Sequence, residues 1–277
     1  MATMSEFLKA ARQHTGGLLA KVPEITVYFW ITKLLTTGMG EVASDFLFER
    51  LNPVLSAPLS VLLFVAAMLL QFKARRYVPG VYWLVVVMVS IFGTTAADVV
   101  RVGLGIPYIA STLFFMIALA ALLVVWHKRE GTLSVHSVFT RRREIFYWLT
   151  VLTTFALGTA AGDMTAESMQ LGYLASGLLF AAVLAVPAIA FYRFGLRETA
   201  AFWFAYIMTR PVGASFADWM SAAHARGGLG WGKGPVTFVL TVLIVLLVVF
   251  RGGAPAREKE DETVPTLKNE RREIHEA

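Results

Sequence analysis

The chain has 277 residues, of which 57% are hydrophobic and only 16% are charged, and its mean hydropathy is +0.63. A water-soluble domain of this length cannot bury so much apolar surface, so the composition excludes that class and predicts an all-α integral membrane protein. The absence of cysteine excludes disulfides and thiolate metal sites.

Eight apolar segments predict eight membrane-spanning helices, because each is about 20 residues long, the length that crosses the hydrocarbon core of a bilayer. In chain order the predicted spans are 24–46, 54–72, 80–102, 106–126, 145–166, 170–192, 199–221 and 234–250. Residues 1–23 precede them as an arm without the pattern of a cleaved signal. The charged segment 252–277 is predicted to be a disordered tail, because it has few apolar residues to bury.

The distribution of the 25 Lys and Arg residues predicts the orientation of the chain. Most of them lie in the arm, in the tail and in the loops after the second, fourth and sixth spans. The loops on the opposite side contain only Arg50, Arg101, Arg226 and Lys233. By the positive-inside rule both termini are cytoplasmic. We therefore read the net charge of +6 as a topology signal, and we expect the lipid bilayer, rather than nucleic acid, as partner.

A fourfold internal repeat marks the odd-numbered spans with the pattern [FY]-W-x9-G-x4-D. The four copies are Phe29-Trp30 with Gly40 and Asp45, Tyr82-Trp83 with Gly93 and Asp98, Tyr147-Trp148 with Gly158 and Asp163, and Phe202-Trp203 with Gly213 and Asp218. The chain has five Asp residues, and only Asp261 lies outside this column. Such an alignment of a scarce residue indicates a true repeat.

Each repeat contains two spans, so all four repeats have the same orientation in the membrane. The predicted units are repeat 1 at 24–78, repeat 2 at 79–143, repeat 3 at 144–197 and repeat 4 at 198–251. Parallel repeats of this kind suggest a bundle with pseudo-fourfold symmetry about the membrane normal.

Four tandem two-span units, each with a marker tryptophan, resemble a family of bacterial membrane proteins known as a tandem repeat of unknown function. The resemblance covers roughly residues 24–250 and rests on the repeated motif. It implies a multi-pass protein of the bacterial plasma membrane, and it implies no particular activity.

The repeat places a polar stripe on one face of each odd-numbered span. At 100° per residue, the positions seven, eleven and fifteen residues after the tryptophan lie on the same face as the tryptophan. These stripes are Trp30, Thr37, Glu41 and Asp45; Trp83, Ser90, Thr94 and Asp98; Trp148, Phe155, Thr159 and Asp163; and Trp203, Arg210, Ala214 and Asp218. Because a carboxylate is costly in lipid, we expect the stripes to face the interior of the bundle.

Carboxylate and hydroxyl oxygens are hard ligands, which favour protons, alkali ions and divalent ions such as magnesium and manganese. The candidate binding residues are Asp45, Asp98, Asp163, Asp218, Glu41, Thr37, Ser90, Thr94 and Thr159. The candidate gate residues are Trp30, Trp83, Trp148 and Trp203. If a metal binds, the four Asp residues are its predicted ligands, and no cofactor is expected. The alternative for the Asp column is a capping role, and for the Trp column an anchor at the membrane interface.

Lys33 and Arg210 break the repeat, because each basic residue occurs in one copy only. Buried cations need partners, so we predict that both pair with the interior carboxylates. The sequence leaves open whether Pro211, the next residue, breaks the seventh span or is tolerated within it.

The function favoured by these residues is transport of a small cation, either linked to protons or passive, with some of the Asp residues exchanging protons. A membrane scaffold or assembly factor, in which the Asp and Gly columns of the repeat only hold helices together, is the alternative, and a cation channel is a second one. An enzyme is not expected, since no Ser/His pair, zinc motif or phosphate-binding loop occurs.

Overall fold

A computed structural model describes residues 21–51 and 53–252 of the chain. Almost all of the predicted arm, and the predicted tail beyond Gly252, lie outside the described residues. Within the described part the chain forms helices and no strands, which confirms the all-helical prediction. The eight α-helices are α1 (Val27–Leu51), α2 (Pro53–Lys73), α3 (Pro79–Asp98), α4 (Tyr108–Glu130), α5 (Arg141–Asp163), α6 (Gly172–Phe194), α7 (Glu198–Ser221) and α8 (Lys233–Gly252).

Local sequence explains where several helices begin and end. Pro79 is the first residue of α3, where its missing N–H costs no hydrogen bond. The Thr140 side chain accepts a hydrogen bond from the backbone N–H of Arg143 and so caps the start of α5. Gly131 and Gly195 end α4 and α6 in left-handed backbone conformation. The helix α7 continues through Pro211 without a break.

Two helices extend into short π-helical segments just after their motif aspartates. Val99–Gly103 follows Asp98 at the end of α3, and Met164–Ser168 follows Asp163 at the end of α5. The wider turn rotates the residues that follow it relative to a continued α-helix. These segments were not predicted from the sequence.

Six of the helical segments in the described part are long and apolar enough to cross a membrane. They comprise α2, α3 with its π-helical extension, α4, α5 with its extension, α6 and α8. Large apolar side chains such as Leu62, Ile117 and Phe238 are exposed on α2, α4 and α8. These long apolar helices indicate a membrane protein.

The four odd-numbered helices form a closed ring, in which α1 packs against α3, α3 against α5, α5 against α7, and α7 against α1. The even-numbered helices lie outside this ring. Each of them packs mainly against the inner helix that follows it in the chain, and α8 packs against α1.

The glycine column of the repeat provides the close contacts of the ring. A Cβ added to Gly40 would overlap Ser90 on the next inner helix, and the same relation links Gly93 to Phe155, Gly158 to Arg210 and Gly213 to Thr37. Each glycine thus receives the side chain seven residues after the tryptophan of the next copy. The absence of side-chain bulk lets the inner helices approach closely, as small residues do in membrane bundles.

The two ends of the inner ring differ in chemistry. At the end where α1 begins, which we call the aromatic end, the Phe/Tyr-Trp pairs pack into one buried cluster. The ring of the first aromatic residue in each copy contacts the tryptophan of the next, with centroid distances of 5.8 Å for Phe29–Trp83, 5.5 Å for Tyr82–Trp148, 6.2 Å for Tyr147–Trp203 and 5.7 Å for Phe202–Trp30. The opposite end, where α1 ends, contains the four motif aspartates and is called the acidic end.

Candidate functional site: an acidic cavity above a buried arginine

The acidic end of the bundle encloses a cavity of about 440 Å³. All four motif aspartates line it, because the stripe positions of the four inner helices converge there. The charged side chains of the lining are Glu41, Asp45, Glu49, Asp98, Asp163, Glu167 and Asp218 with Arg101, Arg226 and Lys233. Seven acidic and three basic groups give this surface an excess of negative charge.

Two of the cavity carboxylates share an ion pair with one lysine of α8. Lys233 Nζ lies 2.8 Å from Asp45 Oδ2 and 2.7 Å from Glu49 Oε1. A third carboxylate, that of Glu167, accepts a hydrogen bond from the Tyr108 hydroxyl. The aspartate of the first repeat is therefore already paired within the protein.

The aspartates of the other three repeats have no such partner. Within the described residues, no hydrogen bond and no ion pair within 4.0 Å engages the carboxylates of Asp98, Asp163 or Asp218. Oxygen atoms of Asp163, Asp218 and Glu41 lie within 4.8 Å of one another. A calcium-sized ion with ligands at about 2.3–2.6 Å spans oxygens at such separations, so these three groups are geometrically able to share one cation.

The floor of the cavity is a hydrogen-bonded group that contains one residue from each inner helix: Glu41, Thr94, Thr159 and Arg210. We call it the polar hub. Arg210 Nη2 donates to Glu41 Oε2 at 2.6 Å, to Thr159 Oγ1 at 2.7 Å and to Thr94 Oγ1. Both threonine hydroxyls in turn donate to Glu41 Oε2 at 3.2 Å.

Arg210 is fully buried, and its second terminal nitrogen donates to the backbone carbonyl of Thr37 at 2.8 Å. A guanidinium with several donors in fixed geometry suits a site at which four helices meet. Because the group is buried and charged, it depends on Glu41 as its counter-ion. The ion pair of Arg210 with Glu41 has no net charge, and the hub therefore closes the acidic cavity on the side that faces the aromatic end.

Lys33 does not pair with the interior carboxylates, contrary to the prediction. It is fully buried, and its Nζ lies 3.8 Å from the ring centroid of Phe155 and 4.2 Å from that of Tyr206. No hydrogen-bond partner for Nζ occurs among the described residues. The reason is its position, since eight residues separate Lys33 from Glu41 and place it about 12 Å further toward the aromatic end.

The four predicted hydroxyl ligands do not line the cavity. Thr94 and Thr159 belong to the hub, where they contact Glu41 and Arg210. Thr37 donates to the carbonyl of Leu34 at 2.6 Å, and the Ser90 side chain lies against Gly40. These two residues are used in helix packing because their stripe position faces the glycine of the neighbouring helix.

The predicted gate tryptophans lie at the aromatic end, away from the cavity. Trp83, Trp148 and Trp203 are buried in the aromatic cluster and Trp30 packs against it. The Trp203 indole donates to the carbonyl of Leu133 at 2.9 Å in the α4–α5 connection. The structure thus places these side chains in a packed layer, and a gating role stays a prediction.

The aromatic end is covered by two chain segments outside the ring. The backbone N–H of Lys21 donates to Val138 O at 3.1 Å, and Lys21 Nζ lies 2.7 Å from Glu144 Oε2. Gln71 donates to the other oxygen of the same carboxylate at 3.2 Å. Val135 and Val138 are buried against the aromatic cluster. The inner ring is thus closed by packed side chains at this end.

Six polar residues of the cavity were missed by the sequence analysis. They are Glu49, Arg101, Glu167, Tyr173, Arg226 and Lys233. A signal existed for three of them, because Arg101, Arg226 and Lys233 are among the four basic residues that violate the charge bias of the loops. Their proximity to a cluster of carboxylates provides a physical reason for these exceptions.

Comparisons with known proteins identify the family to which the repeat belongs. Neither a curated protein nor a solved structure matches the chain significantly. Four tandem segments, residues 28–77, 81–132, 146–196 and 201–251, match the family described as Repeat of Unknown Function (DUF347). Each segment contains one copy of the motif, and together they cover more than half of the chain. The chain therefore belongs to the DUF347 repeat family.

Proposed function

We propose that the protein transports a small hard cation across a membrane and that the acidic cavity is the binding site. The observation that carries this proposal is the set of three carboxylates, on Asp98, Asp163 and Asp218, that have no internal partner among the described residues and line one cavity. Carboxylates that outnumber the basic groups around them repel one another, and a bound cation relieves that repulsion.

The proposal includes eight membrane-spanning helices with pseudo-fourfold symmetry about the membrane normal. The two helices that are not apolar enough by composition alone are α1 and α7, which contain Lys33, Glu41 and Arg210. Both belong to the inner ring, so the outer helices shield these charges from lipid. The cyclic contacts of the glycine and aromatic columns support the symmetry.

For the orientation, we propose that the aromatic end is cytoplasmic and that the membrane is the bacterial plasma membrane. Arg75, Arg76 and Arg141 are exposed at the aromatic end, as the positive-inside rule requires of a cytoplasmic face. The acidic cavity then opens outward and collects cations from the periplasmic or external side.

A carrier fits the arrangement better than a channel. The buried ion pair of Arg210 with Glu41 closes the cavity at mid-depth, and the aromatic layer follows beneath it. A conducting pore needs a continuous polar path. Transport through this bundle therefore requires a conformational change that opens the hub and the aromatic layer.

The test is flux into proteoliposomes containing the full chain, with protons, Na⁺, K⁺, Mg²⁺ and Mn²⁺ offered in turn. We expect saturable uptake of at least one ion, lost or strongly reduced in Asp163→Asn and Asp218→Asn. The matched control is Glu198→Gln, because the Glu198 side chain is 76% exposed and lies at the aromatic end. If folded wild-type protein moves none of these ions, the proposal is wrong and a scaffold role, in which the aspartates only hold helices together, becomes the better explanation.

A further inference from the structure

The two oxygen atoms of the Glu41 carboxylate have different surroundings. Oε2 receives every donor of the hub, from Arg210, Thr94 and Thr159. Oε1 receives no hydrogen bond from the described residues, although Glu41 is 4% exposed. Glu41 also lines the cavity and belongs to the group of carboxylates that lie within 4.8 Å of one another. One side chain therefore connects the hub to the cavity.

Glu41 consequently has two possible counter-ions. One is the Arg210 guanidinium, which is covalently tethered and fully buried. The other is a cation that binds between Glu41, Asp163 and Asp218. Charge-assisted hydrogen bonds are strengthened by the full negative charge of the acceptor, so a cation that withdraws charge from Glu41 weakens the bond to Arg210. The reverse also holds, because linkage between two binding events is reciprocal.

We propose, on the basis of the transport function inferred above, that the substrate is a divalent hard cation and that Arg210 is its internal competitor for Glu41. In the resting protein Arg210 holds the hub closed. Binding of the divalent ion draws Glu41 toward the cavity, loosens the hub and frees α7 from α1, α3 and α5, which starts the conformational change. Arg210 is thus a positioning residue that sets both affinity and turnover.

The choice of a divalent ion follows from the number and type of the ligands. Three carboxylates within reach of one point carry more charge than a single monovalent ion compensates, and oxygen-only ligand sets are typical of Mg²⁺, Ca²⁺ and Mn²⁺. Lys233 already pairs with Asp45, so the site is formed by Asp163 of repeat 3 and Asp218 of repeat 4 with Glu41 from repeat 1.

The test measures equilibrium binding of Mn²⁺ to the purified full chain by electron paramagnetic resonance, together with Mn²⁺ flux in proteoliposomes. In Arg210→Gln the internal competitor is gone, so we expect the Kd for Mn²⁺ to fall at least about tenfold, the effect of removing one charge-assisted hydrogen bond. The same variant should turn over more slowly at saturating Mn²⁺, because a more tightly bound ion is released more slowly. A variant that is merely misfolded would bind less tightly.

Two further variants keep the proposal testable if Arg210→Gln folds poorly. Arg210→Lys retains the charge but not the forked donors, so its Kd should fall by less, about threefold. Affinity for Mn²⁺ should therefore be highest in Arg210→Gln, intermediate in Arg210→Lys and lowest in the wild type. In the double variant Glu41→Gln with Arg210→Gln, the gain in affinity should disappear, because the shared carboxylate is absent.

The outcomes separate this inference from the proposed function. A Kd that is unchanged or higher in folded Arg210→Gln and Arg210→Lys, while wild-type flux still depends on Asp163, overturns the role of Arg210 only. Transport of Na⁺ or protons without Mn²⁺ binding overturns the divalent assignment and leaves cation transport standing. Absence of both binding and flux in folded wild-type protein overturns both proposals.

Discussion

The two ends of the inner ring are made by the same four helices, yet the four copies of the repeat are equivalent at one end and different at the other. At the aromatic end all four copies contribute equivalent residues, and the Phe/Tyr-Trp contacts continue from each copy to the next and back to the first. At the acidic end the copies differ, since Lys233 pairs with Asp45 while the other three motif aspartates have no internal partner in the described chain. The comparison suggests that the repeated aromatic residues build the bundle, whereas at the acidic end residues outside the repeat, such as Lys233, decide which motif aspartates keep no partner.

The strongest test of this distinction is at the boundary between the two ends. Replacement of Glu41 by Ala leaves the buried Arg210 charge uncompensated, and we expect a loss of about 3–5 kcal/mol in the free energy of unfolding. Thermal unfolding of the purified protein in detergent checks this. The control Glu49→Gln removes an ion pair with Lys233 whose acidic side chain is 58% exposed, and it should change stability by less than about 1 kcal/mol. Equal effects of both substitutions would contradict a special role for the hub.

The glycine column tests whether the ring depends on close helix contact. A Cβ at Gly93 would lie 2.6 Å from Phe155 Cβ, so Gly93→Ala should destabilise the protein by about 1–3 kcal/mol through overpacking. Gly80 in the same helix has no atom within 4 Å of its added Cβ, so Gly80→Ala is the matched control and should be neutral or stabilising. Similar unfolding temperatures for the two variants would show that α3 and α5 are not packed as described.

The acidic end should gain stability when charge is removed from it. In the presence of a chelator, Asp218→Asn relieves repulsion from Asp163 and Glu41 and is expected to stabilise the protein by about 1 kcal/mol, or about 2–4 °C in Tm. Added Mn²⁺ should raise the Tm of the wild type and have a smaller effect on the variant, because a ligand of the native state stabilises by mass action. A lower Tm of Asp218→Asn in chelator would instead assign this aspartate a structural role.

The aromatic end should respond to loss of polar groups in a different way. The hydroxyls of Tyr82 and Tyr147 lie 2.6 Å apart in a buried environment. Each single Tyr→Phe substitution should cost about 1 kcal/mol by leaving the other hydroxyl without this partner, and the double substitution should cost less than the sum of the two. The double-mutant cycle, measured by thermal unfolding, checks this non-additivity. Additive losses would mean that the two hydroxyls do not depend on each other.

The parts of the fold set by local sequence could be predicted. Span lengths follow from hydrophobic run length, so each of the eight predicted spans overlaps one helix of the structure. The helical stripe also placed the motif aspartates on one face, because that argument needs only 100° per residue. The prediction that these faces converge rested on the free-energy cost of placing a carboxylate in lipid. The aspartates do line a common cavity.

The partners of the charged residues could not be predicted in this way. Lys233 reaches Asp45 because α8 packs against α1, and no local pattern reveals a contact between the two ends of the chain. The error on Lys33 has a similar origin, since its aromatic neighbours come from α5 and α7. The π-helical segments after Asp98 and Asp163 could not be predicted either, because the sequence argument assumed the 3.6 residues per turn of an α-helix. These segments place Arg101 and Glu167 in the cavity wall.

The contact of α8 with α1 has a consequence for how the molecule is assembled during synthesis. Each of the other inner helices meets its outer neighbour as soon as it is made, because that neighbour precedes it directly. The first inner helix, with Lys33 and Glu41, gains its outer neighbour only after α8 has been synthesised. The pairing of outer and inner helices is therefore shifted by one helix relative to their order in the sequence. In a circularly permuted chain that began with α8, every outer helix would be synthesised directly before the inner helix against which it packs.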